Sequence, residues 1–231
     1  MRGEAASRPA GGPTDEAKGA AHRSADGALP PIGFSRLLLV GSGSMHAAYL
    51  PGELTWLRTA FPDLAVQVVL TRSAHRFVTP TALGMITGRD VIPDTWPDEP
   101  VSEAVHVRLT EWADAAVVFP ASLNFLARLA LGLADSPALL ALQCTRAPIV
   151  VAPSVPSGGW NTPVSERHTD ALARRGNVAV VPPVPVRSWT TGRDDGHGAA
   201  PLAAVVGTLE LLRRRTTSAD PDPEPHDERS R

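Results

Sequence analysis

Five short aliphatic runs recur along the chain, and each is closed by Gly, Thr or Pro. They occupy 36–40, 66–70, 115–119, 149–152 and 178–181, and stop at Gly41, Thr71, Pro120, Pro153 and Pro182. None alternates cleanly between polar and apolar positions, which is the pattern of strands buried on both faces. Between them the spacing changes to that of helices. Leu123, Leu126, Ala127, Ala130, Leu131 and Ala134 fall on one helix face, with Ser122 placed to cap the first turn. Thr162 and Pro163 open a second helix that Gly176 closes. A third covers 46–60, with Pro51 either kinking it or delaying its start, and a fourth covers 202–214. Strand and helix alternating in this way predict an α/β fold, a mostly parallel sheet with helices on both faces, as a single domain over 34–215.

Composition bounds the rest. Residues 1–33 and 216–231 carry few large apolar groups and read as unstructured tails. A formal charge of −2 with dispersed Arg, Asp and Glu argues against a nucleic-acid binder. No apolar run reaches the roughly 20 residues that span a bilayer, and the first residues lack the apolar stretch of a secretory signal, so a cytoplasmic protein is expected. The single cysteine, Cys144, excludes an internal disulfide and reads as a buried structural thiol at the end of an apolar helix. No histidine pair has metal-ligand spacing beside a carboxylate, so no metal is expected. His46 follows the first of the strand-end loops and either approaches a phosphate there or, the favoured reading, is a surface residue at a helix start, while His75, His168 and His197 read as solvent-facing.

In open parallel sheets, ligands collect at the carboxyl ends of the strands. The loops there are Gly41-Ser42-Gly43-Ser44, Thr71-Arg72-Ser73-Ala74, Pro120-Ala121-Ser122-Leu123-Asn124 and 153–160. Three of them place small residues and hydroxyls beside a helix start, which suits a phosphate. His46 breaks the Gly-x-Gly-x-x-Gly pattern, and no Gly-Lys-Ser/Thr is present, so a nucleoside triphosphate is disfavoured. A mononucleotide such as FMN fits a site of hydroxyls and helix dipoles without lysine.

These loops resemble the homo-oligomeric flavin-containing cysteine decarboxylases, which include lantibiotic peptide and phosphopantothenoylcysteine decarboxylases. The likeness runs from about 36 to 182. Its motifs are Thr71-Arg72-Ser73-Ala74-His75-Arg76-Phe77-Val78, His106-Val107-Arg108-Leu109, Ala113-Asp114 with Pro120-Ala121-Ser122-Leu123-Asn124, and Gly132-Leu133-Ala134-Asp135. The resemblance implies a Rossmann-like (flavodoxin-like) fold and FMN as cofactor. It puts Gly41, Ser42, Gly43, Ser44, Thr71, Ser73, Ala121 and Ser122 around the phosphate and ribityl chain, with Phe77 near the isoalloxazine. His106 is the implied catalytic base, and Asn124 is implied to orient the substrate. The implied assembly is a homotrimer or homododecamer with flavin held between protomers. The implied reaction oxidises the thiol of a C-terminal cysteine, in a peptide or small molecule, to a thioaldehyde, after which the carboxylate leaves.

One motif departs from that family. Its Pro-x-Met-Asn-x-x-Met-Trp clamp reads here Pro153-Ser154-Val155-Pro156-Ser157-Gly158-Gly159-Trp160. Pro156 has no side-chain amide to hold a carboxylate or a peptide group, so substrate recognition is expected to differ. Trp160 either covers the flavin or anchors its loop. Residues 182–198 contain no cysteine, which disfavours a role in coenzyme A synthesis and favours natural-product peptide tailoring. The altered clamp leaves open an FMN-binding regulatory or partner subunit without decarboxylase activity. Prenyl transfer to flavin, in a related branch of the fold, is a third reading that His106 and Leu109 disfavour.

Overall fold

The computed structural model describes residues 31–219. Six strands form one parallel sheet: β1 (Arg36–Gly41), β2 (Ala65–Leu70), β3 (Ile92–Pro93), β4 (Ala115–Ala121), β5 (Ile149–Pro153) and β6 (Val178–Val180). Their spatial order is β3-β2-β1-β4-β5-β6, so the sheet reverses its winding between β1 and β4. That reversal is where an open α/β sheet leaves a crevice for ligand. Two further strands, β7 (Val184–Val186) and β8 (Gly196–Gly198), pair as a separate antiparallel hairpin.

The helices are α1 (Leu50–Ala60), α2 (Pro80–Thr87), α3 (Val105–Trp112), α4 (Leu123–Ala130), α5 (Pro137–Cys144), α6 (Pro163–Ala173) and α7 (Leu202–Ala219). The sheet divides the core in two. Leu37 and Leu39 of β1 face Leu50, Leu54 and Leu57 of α1 and Leu202, Val205 and Leu209 of α7. Leu38 and Val40 face the other way, toward Phe125, Leu126 and Leu129 of α4 and Leu139 and Leu142 of α5. Both faces of β1 are therefore dry, which is why its sequence is apolar at every position after Arg36.

Several boundaries differ from those the sequence predicts. Pro51 sits in the first turn of α1, where its missing N–H costs nothing, and a short 3-10 helix, Met45–Tyr49, precedes it. The proline delays the helix and does not kink it. The helix read through Ala134 ends at Ala130, because Gly132 turns the chain with φ 75° and a new helix, α5, starts at Pro137. Cys144 is exposed, not buried: the inward face of α5 is carried by Pro137, Ala138, Leu139, Ala141 and Leu142, and the thiol closes the helix outside it.

The ordered domain also reaches further at both ends than 34–215. At its start, Ile32 packs on the core and the Gly33 N–H donates to Glu210 at 2.9 Å. At its end, α7 continues through Ala219. The remainder of the two tails read from the sequence, 1–30 and 220–231, lies outside the described residues. Among those described, no helix is long and apolar enough to cross a membrane.

Glu210 joins these ends. Its side chain is 3% exposed and accepts from Arg213 at 2.9 Å and Arg214 at 2.7 Å. The Arg213 hydrogen bond, helped by the Gly33 N–H and Arg214 and opposed by burial, holds its carboxyl at about 2, below the ordinary 4.5. A carboxyl depressed by folding adds stability above its unfolded value and loses that contribution as pH falls toward the folded one. Glu210→Gln should therefore lower the unfolding free energy by on the order of 2 kcal/mol at neutral pH. In urea melts the gap to wild type should narrow between pH 4.5 and 2. A gap of constant size across that range would remove the ion pairs as its cause.

Candidate active site

The carboxyl ends of β1, β2, β4 and β5 open onto a cavity of about 1300 Å³. Its floor begins with a contact between two loops. A Cβ on Gly43 would fall 2.3 Å from the Ser73 Cβ, so the turns after β1 and β2 pack against each other only because position 43 is glycine. Thr71 lines the cavity beside them, and its Oγ1 is buried with no partner. A buried hydroxyl without a hydrogen bond costs free energy unless a ligand completes it. The geometry thus fits an anionic group held by Thr71, exposed Ser73 and the start of α4.

The serines of the first loop divide their work. Ser42 is buried, and its Oγ donates to the Pro120 carbonyl at 2.8 Å while accepting from the Ser122 N–H at 2.7 Å. That hydroxyl staples the β1 and β4 loops together, and Ser42 also lines the cavity. The Ser44 Oγ donates to the Ser154 Oγ at 2.7 Å and accepts from the His46 N–H at 3.2 Å, tying the first loop to the one after β5. The Ser122 Oγ caps α4 by accepting from the Phe125 N–H at 3.3 Å, and as a hydroxyl it keeps a donor for a ligand. Gly41 and Ala121 are buried and do not line the cavity. A Cβ at Gly41 would press on the Leu70 and Leu50 side chains, and the Ala121 carbonyl accepts from the Ser154 N–H at 2.8 Å.

Around this floor stand groups of different character. Phe77 is 37% exposed and lines the cavity, and so does Asn124 in the first turn of α4. Asp94, after β3, caps α5 from a distance: it accepts from the Ala138 N–H at 2.8 Å and the Ser136 Oγ at 2.9 Å. Burial is the largest influence on its carboxyl and raises its pKa against those hydrogen bonds. Asp135 pairs with Arg128, and its carbonyl accepts from the Trp96 indole N–H at 3.2 Å. Among the described residues no cluster of three or more His, Cys, Asp or Glu could hold a metal.

His106 is not in the cavity wall of this chain. It is the second residue of α3, its Nδ1 is buried without a partner, and its ring meets the edge of Trp96 at 5.8 Å. Trp96 is the one that lines the cavity. Two other histidines do line it, and of these His197 was read as solvent-facing. His46 is half-buried between Tyr49 and Phe119, and burial lowers its pKa and favours the neutral ring. His197 sits on β8 in the hairpin wall, half-buried where solvent exposure was expected. The hairpin could not be read from sequence, since its strands are Val-Pro-Val and Gly-His-Gly and their pairing is tertiary. Trp160 packs on the core beside α4 and does not line the cavity, so it anchors its loop.

A family model described as Flavoprotein matches residues 32–210. Cypemycin cysteine dehydrogenase (decarboxylating) from Streptomyces sp is 38% identical over 143 residues, covering 62% of this chain and 74% of that protein. The crystal structure of the cypemycin decarboxylase CypD superposes with a TM-score of 0.66 at 30% identity, over 81% of this chain and 98% of that one. The FMN-dependent cysteine decarboxylase SpaF gives 0.63 at 28% identity, over 76% and 97%. The chain spans 34% of the length of a coenzyme A biosynthesis bifunctional protein CoaBC of Mycobacterium bovis that it also matches. With the winding reversal, the hydroxyl floor and a family match over most of the described residues, this chain belongs to the flavoprotein family.

Proposed function

We propose that the chain is an FMN-dependent enzyme that oxidatively decarboxylates a C-terminal cysteine, on a peptide or a small molecule, in natural-product peptide tailoring. The observation that carries the reading is one cavity that joins an anion floor (Thr71, Ser73, Ser122) to a polar wall with Asn124. Gly43, Ser44, Thr71, Ser73 and Ser122 would hold the phosphate and ribityl chain, with Phe77 at the isoalloxazine. When bound, FMN supplies a two-electron acceptor. The substrate's thiol would become a thioaldehyde by giving up its S–H proton to a base and the hydride of the adjacent carbon to that acceptor. The thioaldehyde would next accept the electron pair of the breaking C–CO2 bond, leaving CO2 and an enethiolate, which takes back the proton held by the base to give the enethiol. Asn124 orients the substrate, and the walls exclude water.

His106 is the base in this reading, and it serves a neighbouring protomer's cavity. Trp96, which meets its ring, and Val107, next to it in α3, are 43% and 39% exposed, apolar surface that favours a subunit contact. A homotrimer, or a homododecamer of trimers, follows from the resemblance. The single cysteine, free and exposed, fits a reducing cytoplasm. A second reading, an FMN-binding partner subunit without activity, is favoured by Pro156, which removes a side-chain amide from the clamp.

Two measurements test the proposal. Thr71→Val should weaken FMN binding about tenfold while leaving riboflavin, which lacks the phosphate, nearly unchanged. Equal losses for both flavins would move Thr71 off the phosphate. His106→Asn should keep its flavin spectrum yet lose about a hundredfold or more in CO2 release from a Cys-terminated peptide. Full turnover by that variant would end the assignment of the base. A wild-type protein that holds FMN but converts no Cys-terminated peptide would favour the partner-subunit reading.

A further inference from the structure

The strand β8 reads Gly196-His197-Gly198, so it presents a single side chain. The two glycines are required by close packing. A Cβ at 196 would lie 3.0 Å from the Val186 carbonyl oxygen, and one at 198 would lie 2.9 Å from Val186 Cγ1 and 3.5 Å from His46 Nδ1. The backbone of position 197 is stitched to the altered clamp: the Val155 N–H donates to the His197 carbonyl at 2.9 Å, and the His197 N–H to the Val155 carbonyl at 3.3 Å. His197 is thereby held next to the start of Val155-Pro156, where this chain has lost an amide. Its side chain lines the cavity, and its Nδ1 is buried with no partner among the described residues. A buried nitrogen in that state is completed by what enters the cavity.

We propose that His197 binds the terminal carboxylate of the cysteine substrate, supplying from β8 the hydrogen bond that position 156 cannot make; this rests on the decarboxylase reading above. The charges around the cavity agree with that placement. Asp94 and Asp135 line it near α5 and repel a carboxylate, and Arg128, which also lines it, is paired to Asp135. Arg72 and Arg187 line it as exposed cations, able to attract an anion at long range. An imidazole N–H also suits the chemistry better than a guanidinium. The carboxylate charge vanishes as CO2 forms, so a permanent cation on it would stabilise the ground state more than the transition state. His46, the other cavity histidine, also has a buried nitrogen without a partner among the described residues, Nε2. Its ring, however, is wedged against Phe119 and Tyr49 at the first loop, and its backbone N–H reaches the clamp only through Ser44 and Ser154, whereas His197 pairs directly with Val155.

The test uses the FMN-loaded full chain and a library of short peptides ending in cysteine, with conversion read as loss of CO2 and two hydrogens by mass spectrometry. The best-converted sequence is remade with serine in place of the terminal cysteine, once as the free acid and once as the C-terminal amide, and the affinity of each is measured. Wild type should bind the acid about tenfold more tightly than the amide. His197→Ala should bring the acid down to the amide's affinity and raise KM about tenfold, with kcat changed much less. His197→Gln, which restores an N–H donor, should recover part of the preference. Undiminished FMN content in both variants shows that the fold survives. An acid preference left intact in His197→Ala, or a loss falling equally on acid and amide, overturns the inference and leaves the decarboxylase reading standing. If wild type converts no peptide in the library, the decarboxylase reading fails first and takes this inference with it.

Discussion

The site depends on the hydroxyl of one buried serine. Ser42 follows β1, Pro120 lies in β4, and Ser122 begins α4; a single oxygen bonds to both of the latter at 2.8 and 2.7 Å. The Ser42 N–H adds a bond to the same Pro120 carbonyl at 3.1 Å. These contacts set the spacing across the point where the sheet reverses its winding. They also fix where α4 starts, and so where Ser122 and Asn124 stand relative to Gly43 and Ser73. Removing the oxygen would leave buried backbone groups unpaired, at roughly 1–3 kcal/mol. The larger effect would be on position, since the anion floor is built from loops that this bond holds together.

A second buried polar group does similar work on the far side of the sheet's switch point. Asp94 reaches from the end of β3 to the Ser136 hydroxyl and the Ala138 N–H at the start of α5. A carboxylate facing the first N–H groups of a helix offsets part of the cost of burying it. Burial still outweighs those hydrogen bonds and raises its pKa. The cavity is thus framed by polar bonds internal to the protein, and three groups of its lining, Thr71 Oγ1, His46 Nε2 and His197 Nδ1, are left buried without a partner among the described residues.

How much of this was legible depends on where each signal resides. Strands buried on both faces announce themselves as apolar runs, so β1, β2, β4, β5 and β6 could be placed to within a residue or two. β3 could not, because two residues ending in Pro93 carry no periodicity. α3 escaped as well: only Leu109 of its eight residues is buried, so no apolar face repeats. Loop motifs located the floor, since hydroxyls after parallel strands are a local feature. They did not reveal that the Ser42 hydroxyl is turned inward, that Cys144 points to solvent, or that His46 and His197 meet in one cavity. Those outcomes depend on contacts between residues as distant as 42 and 120, or 155 and 197, which no local pattern encodes.

Both margins of the sheet are blunt. β3 is two residues long and ends in Pro93, while β6 is three residues long and runs into Pro182 and Pro183. A margin that short offers few free N–H and C=O groups, and a proline offers no N–H at all. The sheet is therefore closed to growth by strand addition. Among the described residues, assembly is left to helix faces, loops and the exposed β7–β8 hairpin, and not to the margins of the six-stranded sheet. The apolar groups set out along α3 and its approach are among those left for that purpose.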